Sequence, residues 1–160
     1  MEPVAEAPAV GFDPDEIDPA VSTREARLKW VVLVDEALPP GRAVNAAICI
    51  AASTSDLVPG LLGPAGIDAD GVSHPGLPWL GCTVLGASAD RLAAVRARAH
   101  ARIDTAVVDM PVQAQHTRVY AEYLEQVGAA GADDLAYYAV GIVGPRNAVD
   151  KLVKGLHLLP

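Results

Sequence analysis

At 160 residues and 51% hydrophobic side chains, the chain is long enough for one domain with a substantial core. No stretch approaches the ~18 apolar residues that cross a bilayer, the N-terminus lacks the features of a secretory signal, and two cysteines are too few for a disulfide framework, so a reducing, cytoplasmic location is expected. The net charge of −8 is uneven: residues 1–22 hold six acids and no Lys or Arg, while residues 23–160 hold fourteen acids and twelve bases. The reading is an acidic tail ahead of a nearly neutral domain, which argues against an extended nucleic-acid interface.

Residues 1–22 mix Pro, Ala and acids without periodicity and are expected to be a mobile or loosely packed tail, with one α/β domain over 23–160. Trp30-Val-Val-Leu-Val34 is a continuous apolar run, the mark of a strand covered on both faces. Leu38-Pro-Pro-Gly41 turns into a helix from about Arg42 to Ser53, apolar nearly all round and therefore expected to be central and buried. Glycines and prolines punctuate residues 56–78, where Asp70-Gly71 suits a hairpin between two short strands. Trp79 to Leu85 reads as the next strand. Ser88 suits the N-cap of a helix to about Arg102, with Leu92, Val95 and Ala99 inward.

Thr105-Ala-Val-Val108 is a third strand that closes at Asp109. A helix from about Ala114 to Val127 would turn Val119, Tyr120, Tyr123, Leu124 and Val127 inward. Tyr137 to Val143 is the fourth strand and ends in Gly144-Pro145. Val149, Leu152 and Val153 mark a last helix, Gly155 its C-cap, and an apolar tail docks behind it. Strands alternating with helices give an α/β layered fold, with the first, third and fourth apolar runs as central strands.

In such folds ligands gather at the carboxyl ends of strands and at helix starts. The first strand leads to Arg42 and Asn45, the third to Asp109, Gln113, Gln115, His116 and Thr117, and the fourth to Pro145-Arg146-Asn147. Asn45 interrupts an apolar helix, and a buried amide without partners costs roughly 1–3 kcal/mol. It either bonds a neighbouring loop carbonyl or faces a ligand. Asp109 either caps the following turn or serves as a general base. His116 stands at a helix start, His74 in a loop, and Cys49 reads as a small core residue because nothing local would make it a thiolate. The four His and two Cys have no metal-ligand spacing, and neither phosphate loops nor a nucleophile elbow occur, so no metal or cofactor is expected. Arg91, Arg98 and Arg102 form a stripe on one helix face, either a solvated surface or a phosphate track.

Leu38-Pro-Pro-Gly41-Arg-Ala-Val-Asn45-Ala-Ala, His74-Pro75-Gly76 and Val143-Gly-Pro-Arg-Asn-Ala-Val-Asp-Lys-Leu152 together resemble an uncharacterised bacterial family, domain of unknown function 2000, over about Leu28 to Leu159. More distantly, the helix start and the close Gly144-Pro145…Asp150-Lys151…Gly155-Leu156-His157-Leu158-Leu159 resemble type II peptidyl-tRNA hydrolases. That resemblance implies a mixed, mostly parallel sheet of about four main strands sandwiched between helices, and often a homodimer. Arg42 stands where those enzymes keep a Lys, Asn45 lies one position before their Gln, and Asp109 matches their catalytic-site Asp. Their helix His has no counterpart among Ile48, Cys49 and Ile50. Arg does not replace Lys in proton transfer.

The first functional expectation is a cofactor-free enzyme on a small polar or acyl substrate. Asp109, Asn45 and His116 would be its catalytic residues, and Arg42, Gln113, Thr117 and His74 would bind substrate. The second is a peptidyl-tRNA or aminoacyl-ester hydrolase, with tRNA disfavoured by charge. The third is a non-catalytic binding or structural module.

Overall fold

The alternation of apolar runs and turns becomes a five-stranded sheet between helices. A computed structural model describes residues 10–160. The main elements are β1 (Leu28–Asp35), α1 (Pro40–Leu57), β2 (Gly66–Ile67), β3 (Ser73–His74), β4 (Thr83–Ala87), α2 (Ala89–His100), β5 (Ala106–Pro111), α3 (Gln113–His116), α4 (Tyr120–Ala129), β6 (Tyr137–Pro145), α5 (Arg146–Leu152) and β7 (His157–Leu158). β1 is buried at every position except Lys29 and Asp35, as a strand covered on both faces must be. β2 and β3 form the small hairpin expected around Asp70-Gly71, with Gly71 at φ +82°. There Asp68 Oδ1 accepts from the backbone N–H of Asp70 and Val72.

The strand order is β5-β6-β1-β4-β7. β1 and β4 run parallel, whereas β6 is antiparallel to both β1 and β5, and β7 is antiparallel to β4. The expected mostly parallel sheet is therefore corrected to a mixed one. The physical reason is that the chain between β5 and β6 returns beside the same edge without crossing the sheet, so the two strands pair antiparallel. A second correction follows from the same connection: the third apolar run, β5, is an edge strand and not a central one. β4 takes the inner place beside β1, and the C-terminal tail adds the fifth strand by pairing Leu158 with Leu85.

Side chains alternate between two cores. Trp30, Val32, Val34, Ala139 and Val143 pack under α1 on one face. Val31, Leu33, Val140 and Ile142 pack under α2 and α5 on the other. The seat of α1 is set by Gly141 of β6, where a Cβ would lie 2.5 Å from Ile50 Cγ2. The helix can approach the sheet this closely only because that position has no side chain. Thr54, the buried polar residue of α1, returns its hydroxyl to the Ile50 carbonyl at 2.7 Å.

The apolar character of α1 nearly all round predicts a helix that is wholly inside. In the structure only Ala43, Ala46, Ile50 and Thr54 are buried, while Val44 and Ile48 are 58% and 61% exposed and Cys49 is exposed as well. α1 lies over β5, β6 and β1 and leaves the β4 side of that face open. An apolar groove of about 350 Å³ remains there, lined by Trp30, Val32, Ile48, Val84 and Leu159. The helix expected from Ala114 to Val127 is also divided. Thr117 turns extended at φ −110°, ψ 154°, and separates α3 from α4. No residue of α4 is buried, and Val119, Tyr120 and Leu124, expected inward, are exposed.

Of the segment read as an acidic tail, residues 1–9 lie outside the described residues. Within residues 10–27, Phe12 is 6% exposed and packs edge-on to Trp79 with ring centroids 4.9 Å apart. Its N–H donates to the Pro59 carbonyl at 2.9 Å. Glu16 pairs with Arg27 at 2.7 Å, and Arg27 also donates to the Gly11 carbonyl.

Candidate functional site

β1, β4 and β5 all end at the same edge of the sheet, and α1 begins there. Between α1, the end of β5 and the α3–α4 corner lies a groove of about 430 Å³. One wall is Asn45, Cys49 and Ser53 of α1. The floor is Val108, Asp109 and Met110. The other wall is Thr117, Arg118, Val119, Tyr120 and Tyr123.

The two polar anchors enter from opposite sides of the sheet. Asn45 belongs to α1, above the face that carries Val108 and Met110. Asp109 alternates to the other face and receives Nε of Arg96 from α2 at 2.9 Å. Both reach one groove because β5 is an edge strand. Arg96 is itself stacked over the Tyr137 ring, 5.3 Å from its centroid.

Asn45 is held in a defined orientation. Gln115 Nε2 donates to the Arg42 carbonyl at 3.0 Å, which fixes which end of the Gln115 amide is the NH₂. The same nitrogen meets Asn45 Oδ1 at 3.1 Å. Asn45 is exposed, not the buried amide that its apolar helix suggests, and its NH₂ has no acceptor among the described residues. On Asp109, Oδ2 is engaged by Arg96 and Oδ1 has no donor among the described residues. Asn45 and Asp109 thus bring an amide and a carboxylate to the lining of one groove. Tyr120 and Tyr123 lie with ring centroids 5.4 Å apart and planes tilted by 49°, and supply an aromatic surface. Burial, with the nearby Tyr120 and Asp109, raises the Tyr123 hydroxyl above its ordinary pKa, so it stays a neutral donor near pH 7.

Of the seven residues singled out from sequence, Asn45, Asp109 and Thr117 line this groove. Thr117 spends its hydroxyl on the Gln113 carbonyl at 3.0 Å. Arg42 contributes its backbone carbonyl to the Gln115 network, and its side chain is not part of the lining. Gln113 lies one turn behind the wall, with its buried Oε1 lacking a donor. His116 is exposed and contacts the Tyr138 hydroxyl at 3.1 Å. His74 lies in the β2–β3 hairpin, 3.2 Å from Asp68. Among the described residues no group of three His, Cys, Asp or Glu is placed to hold a metal ion.

Tyr120, Tyr123, Ser53 and Arg96 escaped the sequence reading. The two tyrosines carried the apolar periodicity of a buried helix face, and nothing local distinguishes a groove wall from a core face. Arg96 pairs across elements and carries no short-range signal. The Arg91–Arg98–Arg102 stripe is largely spent on structure: Arg91 donates to the Lys154 carbonyl and Arg102 pairs with Asp104.

Residues 28–160 match the sequence profile of a family described as a protein of unknown function, DUF2000. The chain belongs to that family. This DUF2000 chain is similar in fold to a solved structure of another protein of unknown function, Atu0240 of Agrobacterium tumefaciens str. C58. The TM-score is 0.71 at 17% identity, covering 82% of this chain and 97% of the other. At that identity the likeness speaks to fold alone. No curated protein matches the chain.

Proposed function

We propose that the groove between α1, β5 and α4 is the active site of a cofactor-free enzyme acting on a small polar or acyl substrate. The observation that carries this reading is that Asn45, held through its Oδ1 by Gln115 and with its NH₂ unpartnered among the described residues, lines the same groove as Asp109. A preorganised amide donor stabilises a carbonyl oxygen as negative charge develops on it. Asp109 Oδ1 accepts from a water or hydroxyl nucleophile, and the two tyrosines hold the apolar part of the acyl group. A panel of small esters and amides, assayed with the wild type and with Asn45→Ala and Asp109→Asn, tests this. Turnover lost in both variants at unchanged folding supports it; a wild type inert on the panel, or variants as active as wild type, rejects it.

One observation favours a second reading, a binding module without catalysis. Arg96 already occupies one oxygen of Asp109 at 2.9 Å, so the pair can serve the scaffold without any proton transfer. Saturable binding of the same acyl compounds without turnover would select it.

The fold is read as akin to that of type II peptidyl-tRNA hydrolases. Helices on both faces of a mixed sheet and the closing Gly144-Pro145…Asp150-Lys151 block support the kinship. tRNA is not the proposed substrate: the groove lining carries one basic side chain, Arg118, beside an acidic one. A homodimer through Val44 and Ile48 is the proposed assembly, since both stand exposed beside an apolar groove. Sedimentation of Ile48→Glu tests it. Two free thiols, Cys49 and Cys82, fit a reducing cytoplasmic compartment.

A further inference from the structure

The Gly144-Pro145-Arg146-Asn147 block plays no part in the groove at β5. It lies at the opposite end of the sheet, where β1 and β4 begin and β6 finishes. A second pocket of about 440 Å³ opens there, with Thr23, Arg24, Lys29, Thr83 and Arg146 among its lining and Trp30 in its wall. No Asp or Glu lines it, in a chain with twenty acids and twelve Lys and Arg. Lys29 is neutralised by Asp150 at 2.6 Å. Arg24 and Arg146 have no carboxylate partner among the described residues. Desolvation pushes the Cys82 thiol, in the same wall, up to about 12 even though part of that residue is exposed, so it adds no negative charge.

Arg146 is preorganised. Its Nη2 donates to the carbonyls of Thr23 and Ala26, each at 3.3 Å, which fixes the guanidinium plane and leaves its other N–H groups without acceptors. A guanidinium held by carbonyls and not by a carboxylate keeps its full charge for an incoming anion. Behind the wall, the Trp30 side chain packs under α1. Trp30 is 5% exposed, and its indole N–H has no acceptor among the described residues, whereas Trp79 donates its own to the Gly60 carbonyl at 2.8 Å.

We infer that this pocket is a binding site for a small oxyanion, a phosphate or carboxylate group, held by Arg146 and Arg24 with the hydroxyls of Thr23 and Thr83. The site is separate from the groove at β5 and does not depend on the function proposed for it.

The test is a titration of ¹⁵N-labelled full-length protein at low ionic strength with inorganic phosphate in one arm and sodium acetate in the other. Chloride at matched ionic strength is the control. The backbone amide signals of Thr83 and Arg146 should shift saturably while the Trp79 indole signal stays in place as an internal reference. Whichever anion saturates at lower concentration names the class. Arg24→Gln, an exposed change with no structural bond to lose, should weaken binding about fivefold. Arg98→Gln, on another surface, should leave it unchanged. Arg146→Gln loosens the Thr23–Ala26 turn, so Arg24 carries the decision. A shift that rises linearly, that chloride reproduces, or that persists at full affinity in Arg24→Gln overturns the site.

Discussion

Gln115 meets Asn45 across 70 residues of sequence, with its amide nitrogen 3.1 Å from Asn45 Oδ1 and 3.0 Å from the Arg42 carbonyl. This one nitrogen decides which way the Asn45 amide faces. Gln115→Ala should therefore reduce ligand binding or turnover in the groove nearly as much as Asn45→Ala, about tenfold, although Gln115 does not line it. Both changes are near the surface and should move the melting temperature by no more than about 2 °C. Melting curves beside ligand titrations read both quantities. Full binding in Gln115→Ala would show that the orientation of Asn45 is irrelevant.

Asp109 and Arg96 form a partly buried pair, with each side chain 23% exposed. Arg96→Met should cost about 1 kcal/mol by denaturant unfolding, because the pair with Asp109 and the stacking over Tyr137 are lost. If the pair positions Asp109 for work in the groove, turnover or ligand binding there falls in this variant as well. A stability loss without that fall assigns the pair to the scaffold alone.

Gly141→Ala should cost about 1–3 kcal/mol, since the added methyl would lie 2.5 Å from Ile50 Cγ2 and must push α1 outward. Ile50→Ala should cost about 2–5 kcal/mol, whereas Ile48→Ala, two residues away and 61% exposed, should stay within about 0.5 kcal/mol in the monomer. Urea unfolding of the three variants tests the assigned face of α1. Equal losses at positions 48 and 50 would reverse it.

Glu16 is held at a pKa of about 2, below its ordinary 4.5, chiefly by its hydrogen bond from Arg27 and then by the Asp13 backbone N–H. A carboxylate with a depressed folded-state pKa contributes stability that is complete above about 4.5 and is lost as pH falls through about 2. Both side chains are substantially exposed, so the contribution is under about 1 kcal/mol and is weakened by salt. Glu16→Gln should flatten the stability–pH curve in that window alone, read by urea midpoints at stepped pH. An unchanged slope between those pH values would show the pair to be idle.

The strands were legible in the sequence because burial on both faces leaves a continuous apolar run, and Trp30–Val34 and Tyr137–Val143 are such runs. Their order and direction were not. Parallel and antiparallel neighbours bury the same side chains, so nothing in Thr105–Val108 says that it forms an edge. α1 misled for a related reason. Val44 and Ile48 are as apolar as Ile50, and only the bare Gly141, 91 residues beyond Ile50, decides which stripe meets the sheet. Asn45 and Asp109 stood out because each breaks an apolar pattern. Tyr120 and Tyr123 did not, because on a helix facing a groove they continue it.

Phe12 carries a consequence for where this protein can be cut. The family match begins at residue 28, but Phe12 fills a socket against Trp79 and bonds the Pro59 carbonyl well before that boundary. A chain trimmed to the shared region would open that socket and wet Trp79, Val58 and Leu61 together. The stretch inherited across the family and the stretch that closes the core have different ends. Anyone dissecting this chain by evolutionary boundaries would remove one of its own wedges.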